Sequence, residues 1–193
     1  MNLALQDAAN LAWKIAADID GWAPKDLLST YESERRPLGD RVFMQTQAQT
    51  ALMSPGSDVT ALRELFSELL NNKDNLQLIA DLIAGSDVRY NMGDGELAGW
   101  FAPTIELTLC DGHKVRLAEL LRSARPILVD TTGGTLVSSA APWSQRVDYI
   151  QTVQTTTMPS MLIRPDGYVA WSGIDQSVLY DHLKRWFGPP SGR

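Results

Sequence analysis

The side chains able to do chemistry are few and scattered. Cys110 is the single cysteine, which excludes an internal disulfide, a Cys-x-x-Cys redox pair and a cysteine zinc cluster. Its neighbours read as strand, so it is expected to serve as a small hydrophobe. The two histidines, His113 and His182, lie far apart, and neither has carboxylates clustered at ligand spacing, so no metal centre is indicated. Asp94, Glu96 and Asp130 fall in loops and read as solvated turn residues. No Ser/His/Asp set and no carboxylate pair at motif spacing emerges. A dinucleotide turn needs three spaced glycines between a strand and a helix; Gly133-Gly134 is too short, and Gly93, Gly95 and Gly99 follow no strand. The sequence offers no catalytic residue of its own.

Composition narrows the classes further. The chain has 193 residues, 44% of them hydrophobic, enough for one or two ordinary cores. Its net charge of −6 and pI near 4.9, without any basic stripe, argue against a nucleic-acid partner. No apolar run reaches the roughly 18 residues that span a bilayer, and the basic-then-apolar order of a signal peptide is missing. These features predict a soluble cytoplasmic protein with no membrane partner.

The elements that carry these residues divide the chain into two halves. The opening stretch, MNLALQDAANLAWKIA, reads as a helix apolar on nearly every side. Asn2, Gln6, Asn10 and Lys14 leave a narrow polar strip, widened by Asp7 and Asp18. Such a helix belongs between layers, and later helices of this chain are not expected to bury Leu3, Leu5, Leu11, Trp13 and Ile15 together. A homodimer, or contact with a portion beyond this chain, is the expected consequence. The helix is predicted to end near Asp20-Gly21. A second is predicted from Pro24, with a kink or restart at Pro37, and Glu32 is spaced to pair with Arg35 and Arg36. A third helix, with Ser57 or Asp58 as cap, carries the stripe Leu62, Leu65, Phe66, Leu69 and Leu70. After Asn71-Asn72 a fourth carries Leu76, Ile79, Leu82 and Ile83 to Gly85.

From Tyr90 the composition changes. NMGDGELAGWFAP reads as a linker or boundary, giving a helical segment at 1–92 and a second domain at 93–193. In the latter, TIELTL, a turn at Asp111-Gly112 and KVRLAELL lead to ILVD, a buried strand. TTGGTLVSSAAP reads as loop, and SQRVDYIQTV ends in a strand. SMLIR, the turn Pro165-Asp166-Gly167 and YVAWS form a hairpin. A helix bearing Val178, Leu179, His182, Leu183 and Trp186 closes at Gly188. Strand, crossover, strand, hairpin and closing helix is the thioredoxin-like order. The fold class is therefore α/β (α+β): a helical segment followed by a thioredoxin-like domain. Where such a fold carries its redox pair, this chain has Thr131-Thr132-Gly133-Gly134, and Met158-Pro159 stands where it carries a cis-proline.

Three ordered stretches resemble one family. Met1, Asn2, Gln6, Asp7, Ala8, Asn10, Leu11, Trp13 and Lys14 are similar to the helix after the flavin-contacting glycines of FAD-dependent aromatic hydroxylases of the para-hydroxybenzoate hydroxylase type, in their polyketide and phenol hydroxylase branch. Leu28, Tyr31, Glu32, Glu34, Arg35, Arg36 and Pro37 match a second segment. LIRPDGYVAW, from Leu162 to Trp171, resembles the signature of that family's C-terminal thioredoxin-like domain. The resemblance implies the last third or so of an aromatic-ring monooxygenase that uses FAD and NAD(P)H. Its dinucleotide fingerprint and substrate sheet are absent here, so no cofactor is expected to bind this chain alone. It further implies that backbone amides of Met1, Asn2 and Leu3, at a helix N-terminus, contact the flavin when the flavin-binding portion is present. In that reading Arg35 and Arg36 lock their helix against the flavin domain. The alternative is a non-enzymatic thioredoxin-like module that stabilises or oligomerises a flavoenzyme.

Overall fold

Ile127–Asp130 is an uninterrupted apolar run ending in one acid, and it forms the central strand β3 of a four-stranded sheet. In this computed structural model, which describes residues 2–155 and 157–190, the preceding elements are four helices, a hairpin and a one-turn helix. They are α1 (Asn2–Ile19), α2 (Thr30–Met53), α3 (Ser57–Leu70), α4 (Lys73–Ala84), β1 (Glu106–Thr108), β2 (Lys114–Arg116) and the short α5 (Leu117–Leu120). After β3 come a one-turn α6 (Val137–Ala140), β4 (Asp148–Gln151), β5 (Ser160–Ile163), β6 (Val169–Gly173) and α7 (Gln176–Phe187).

The sheet runs β4-β3-β5-β6. β4 lies parallel to β3, so the chain must cross over between them, and α6 lies in that crossover. β5 and β6 pair antiparallel through the expected hairpin. This is the thioredoxin-like arrangement. Ile127, Val129, Met161, Ile163 and Val169 bury one face with Leu107 and Leu117, while the alternate residues Leu128, Leu162 and Ala170 are buried on the other. Each large aliphatic side chain so buried is worth about 1.5–3 kcal/mol. α7 is capped by Asp175, whose carboxylate accepts from the Ser177 and Val178 amides, and it buries Leu179, Leu183, Trp186 and Phe187. The described peptide bonds include no cis bond, so Met158-Pro159 is trans.

The segment read as a linker is instead pinned along β6. Gly99 donates to the Val169 carbonyl, Ala102 to Gly167, and Val169 to Trp100. Met92, Ala98 and Ala102 are buried. Its glycines permit close approach: a Cβ on Gly99 (φ +84°) meets the Tyr90 carbonyl at 1.9 Å, and one on Gly95 meets Ser172 Oγ at 2.5 Å.

The chain packs as two compact units, Met1–Glu32 with Arg89–Arg193, and Ser33–Val88. The composition break at 92/93 thus lies beside a packing boundary, with the opening helix grouped with the sheet. α1 ends as expected, Gly21 taking φ 73° and Trp22 bonding back to Ala17. Other helical expectations change. Residues after Pro24 form turns, because Asp26 takes φ 67°, and α2 starts only at Thr30. Pro37 does not break α2, which runs through it to Met53; one lost hydrogen bond is offset by propagation over the following turns. Gly56, not Ser57 or Asp58, holds the cap position of α3, and no side chain caps it. Asn72 caps α4, accepting from Asp74 and Asn75, and Gly85 closes it in the left-handed conformation. Neither α3 nor α4 has a buried residue.

Candidate functional site

α1 packs through its polar side, and Leu5 and Ile15, among the residues not expected to be buried together, stay exposed. The polar strip is inward: Asn10 and Lys14 are 1% and 0% exposed, with Trp13 and Ala17 beside them, while Leu5, Ile15 and Ile19 are 63%, 42% and 78% exposed. The cause lies in the β5–β6 turn. Arg164 and Asp166 are both buried and paired, Arg164 Nε donating to Asp166 Oδ1 at 3.0 Å with a second contact from Nη2 to Oδ2. Asn10 Nδ2 donates to Asp166 Oδ2 at 3.1 Å, and Lys14 Nζ donates to Asn10 Oδ1 at 2.7 Å. The Arg164 guanidinium also lies over three rings, those of Trp186 at 4.7 Å, Trp13 at 5.3 Å and Tyr90 at 5.4 Å. Buried charges persist only when paired and hydrogen-bonded, and this turn supplies those partners. Asn10, Lys14 and Trp13 must therefore face it, and the aliphatic residues turn outward.

Of the residues expected to contact flavin, Met1 lies outside the described residues. Asn2 opens α1, and Leu3 is half-buried in its first turn. That turn of the 18-residue helix carries no acidic residue. Beside α1 is a cavity of about 760 Å³ walled by Ala12, Trp13, Trp22, Pro126, Arg125 and Arg146. Its two arginines are engaged: Arg125 with Asp148 at 2.8 Å, and Arg146 with the Phe187 and Pro189 carbonyls at 2.7 and 2.8 Å. Arg35, expected to lock its helix or to pair on a solvated face, is 4% exposed, whereas Glu32 and Arg36 are exposed.

The position of a redox pair holds a hydroxyl network. Asp130 is fully buried, not a solvated turn residue. Its Oδ1 accepts from the Thr132 amide (2.7 Å) and hydroxyl (2.6 Å), and its Oδ2 from the Leu136 amide (3.1 Å) and Tyr149 hydroxyl (2.7 Å). Burial pushes this carboxyl up, but the donors from Thr132, Tyr149 and Leu136 outweigh it and hold it below the usual value of 3.8. Burial, then the bond to Asp130, push the Tyr149 phenol well above its ordinary range. Thr131 donates to the Met158 carbonyl at 3.0 Å, and its amide donates to Ser160 Oγ at 3.0 Å. The network holds the loop in shape and contains no nucleophile activated by a base. Asp94 and Glu96 are exposed, as expected.

The remaining reactive side chains stay apart. Cys110 is exposed in the turn after β1, its sulfur 3.3 Å from the Thr152 carbonyl, so it is not the strand hydrophobe expected. His113 is exposed and pairs with Asp111 at 3.1 Å. His182 is mostly buried; burial and the nearby Arg185 hold its pKa below 6.5, and its Nδ1 has no partner. Among the described residues no His, Cys, Asp or Glu group could hold a metal, and no helix is long and apolar enough to cross a membrane. Sequence reasoning missed the Arg164–Asp166–Asn10–Lys14 group. The available signal was that Asn10, Trp13, Lys14 and Ala17 share one helical face with an invitingly polar pair.

Comparison with known proteins agrees with this geometry. Residues 1–46 match the family described as FAD binding domain, and residues 95–190 match that described as aromatic-ring hydroxylase, C-terminal. The rifampicin monooxygenase of Rhodococcus hoagii is 44% identical over 192 residues, covering 97% of this chain and 38% of that protein. The 12-dehydrotetracycline 5-monooxygenase/anhydrotetracycline 6-monooxygenase of Streptomyces rimosus is 39% identical, covering 99% of this chain and 40% of its own length. The solved structure of an anhydrotetracycline hydroxylase from Streptomyces rimosus superposes with a TM-score of 0.91 at 39% identity, covering 98% of this chain and 41% of that one. An aromatic hydroxylase from angucycline biosynthesis superposes at 0.90 and 37% identity, with 98% and 41% covered. This chain spans about two-fifths of the length of these relatives. A helix matching a flavin-binding family, seated on a thioredoxin-like sheet without thiols, joins the two halves of one assignment: the chain belongs to the FAD-dependent aromatic-ring hydroxylases.

Proposed function

We propose that this chain is the C-terminal portion of an aromatic-ring monooxygenase that uses FAD and NAD(P)H to hydroxylate a phenolic or polyketide substrate. The observation that carries the reading is the seating of α1. Its polar face is committed to the β5–β6 turn, and the stripe Leu5, Ala8, Ala12, Ile15 and Ile19 is left exposed. An apolar face of that length suits the flavin-binding portion that the relatives' greater length accommodates.

The residues present fit a flavin at one edge only. The first turn of α1, without acidic side chains, would set the amides of Asn2 and Leu3 toward an anionic ring edge. Bound flavin supplies the redox and oxygen chemistry. This chain's own residues orient and support the helix. In the absence of the flavin-binding portion, two copies are expected to pair through their α1 stripes.

The test is reassembly. The chain is purified alone, and also after co-production with the remaining N-terminal part of the Rhodococcus hoagii relative. Alone it is expected to emerge colourless from gel filtration. Together the two pieces are expected to retain FAD and to oxidise NADPH when given a phenolic substrate. A co-purified pair without flavin, or a yellow chain on its own, overturns the proposal.

A further inference from the structure

We propose that the thioredoxin-like part, lacking redox thiols, serves as a clamp that sets the position of α1, with Asn10, Arg164 and Asp166 as its positioning residues. The inference rests on the reading that α1 meets the flavin. Three observations carry it. First, the contact is specific in geometry: a buried carboxylate takes a guanidinium on one side and the Asn10 amide on the other, across 156 residues of sequence. A hydrogen-bonded junction of this kind fixes both the rotation and the axial register of a helix, which a purely apolar seat would leave free to slide. Second, the clamp is rigid. The guanidinium is held among Trp13, Tyr90 and Trp186, and the turn bearing it closes a hairpin whose strands are buried. Third, the place where this fold carries its redox pair is given over to structure: the Asp130 carboxylate is saturated with donors that shape its own loop. What this part offers to the rest of the molecule is the seat of α1.

Asn10 lies about two turns from the helix N-terminus, and a helix transmits rotation along its axis. A change at Asn10 therefore moves the amides at the first turn without touching them. The residues act through α1 and are positioning residues, not catalytic ones.

The test uses Asn10→Ala, which leaves the Arg164–Asp166 pair intact, and Asp166→Asn as a second, volume-conserving variant. Asp130→Asn serves as a control that disturbs the same domain without touching α1. In the full chain, hydrogen exchange of the α1 amides from Leu5 to Ala17 is expected to quicken at least about ten-fold in Asn10→Ala, the scale of one hydrogen bond to a charged partner. Amides of Leu128 and Leu162 are expected to be unchanged. The double variant Asn10→Ala/Asp166→Asn is expected to loosen α1 by less than the sum of the two single variants, because both lose the shared Asn10–Asp166 contact. Uniform loosening of helix and sheet, or no change in α1, overturns the clamp. In the reassembled complex, FAD is expected to dissociate at least five-fold faster, with a shifted visible band, for Asn10→Ala but not for Asp130→Asn. Equal behaviour of the two variants overturns the inference alone. A wild-type complex that holds no FAD overturns the flavin reading instead, while exchange in the free chain still decides whether the clamp exists.

Discussion

Asp130, which ends strand β3, and Asp166, in the β5–β6 turn, are both buried carboxylates, yet they do different work. Asp130 collects its donors from Thr132, Leu136 and Tyr149, all within 19 positions along the chain, and folds one loop upon itself. Asp166 takes a neighbour, Arg164, and then reaches Asn10 on the opening helix. The first satisfies a charge with neutral donors and is self-contained. The second satisfies a charge with a charge, and ties distant segments together. Local networks can be remodelled at local cost; a junction between elements fails as a unit.

That contrast predicts the largest effect at the junction. Arg164→Ala leaves the Asp166 carboxylate buried beside three aromatic rings that had enclosed the guanidinium. The expected loss is about 3–5 kcal/mol in a denaturant titration, enough to unfold a domain of ordinary stability. A loss below 1 kcal/mol breaks the comparison, because it means that the pair is not needed to hold α1. Asp130→Ala should cost less, about 3 kcal/mol at most, since its partners are neutral donors with some access to water. It also removes the charge that helps hold Tyr149 protonated, so the phenol is expected to titrate closer to its ordinary value of 10.0. Phenolate absorbance against pH reads this directly, and an unmoved titration means that burial alone sets the phenol.

The two sites also differ in how far sequence reveals them. Strands β3, β5 and β6 and the hairpin turn are legible, because each is a short apolar run bounded by Pro, Asp and Gly. α7 is legible from its periodicity. Asp130 is misread because a strand-ending acid before Thr-Thr-Gly-Gly resembles any solvated turn; only the folded loop brings four donors to it. The seating of α1 is hidden for a related reason. Hydrophobic pattern marks the helix as apolar on nearly every side and does not choose among its faces, and Asn10 and Lys14 find partners that no local window contains. In α3 and α4 the stripes Leu62-Leu65-Leu69 and Leu76-Ile79-Ile83 are read correctly as apolar faces, yet neither helix buries a residue. Periodicity tells which face is apolar. It does not tell what covers it.

His182 sharpens the comparison from a third buried polar position, one without a charged partner for its Nδ1. Its folded pKa is lowered, by burial first and then by Arg185, from the ordinary 6.5. The unfolded chain therefore takes up a proton below pH 6.5 that the folded chain refuses. Stability is expected to be flat above that value and to fall as pH drops below it, by up to about 1.4 kcal/mol per pH unit until the folded pKa is reached. His182→Phe should flatten the profile between pH 6.5 and 5. A wild-type profile with no slope in that window means that the imidazole accepts its proton in the folded state.

The smallest effect on folding is expected on the outer face of α1, and it separates the clamp from what lies beyond it. Leu5, Ile15 and Ile19 touch little in this chain, so changing all three to Glu should shift its unfolding midpoint hardly at all, each substitution staying within about 0.5 kcal/mol. Their expected consequence is in association. Several aliphatic side chains held in water forfeit burial worth about 25 cal/mol per Å², and pairing of two copies recovers part of it. Light scattering at tens of micromolar is therefore expected to show a dimer for the wild type and a monomer for the triple variant. The same variant should fail to reassemble with the flavin-binding part of the relative, while Asn10→Ala still assembles but holds its flavin loosely. If the triple variant reassembles as well as the wild type, the exposed stripe is not the docking face, and the polar side of α1 alone seats it in the larger protein.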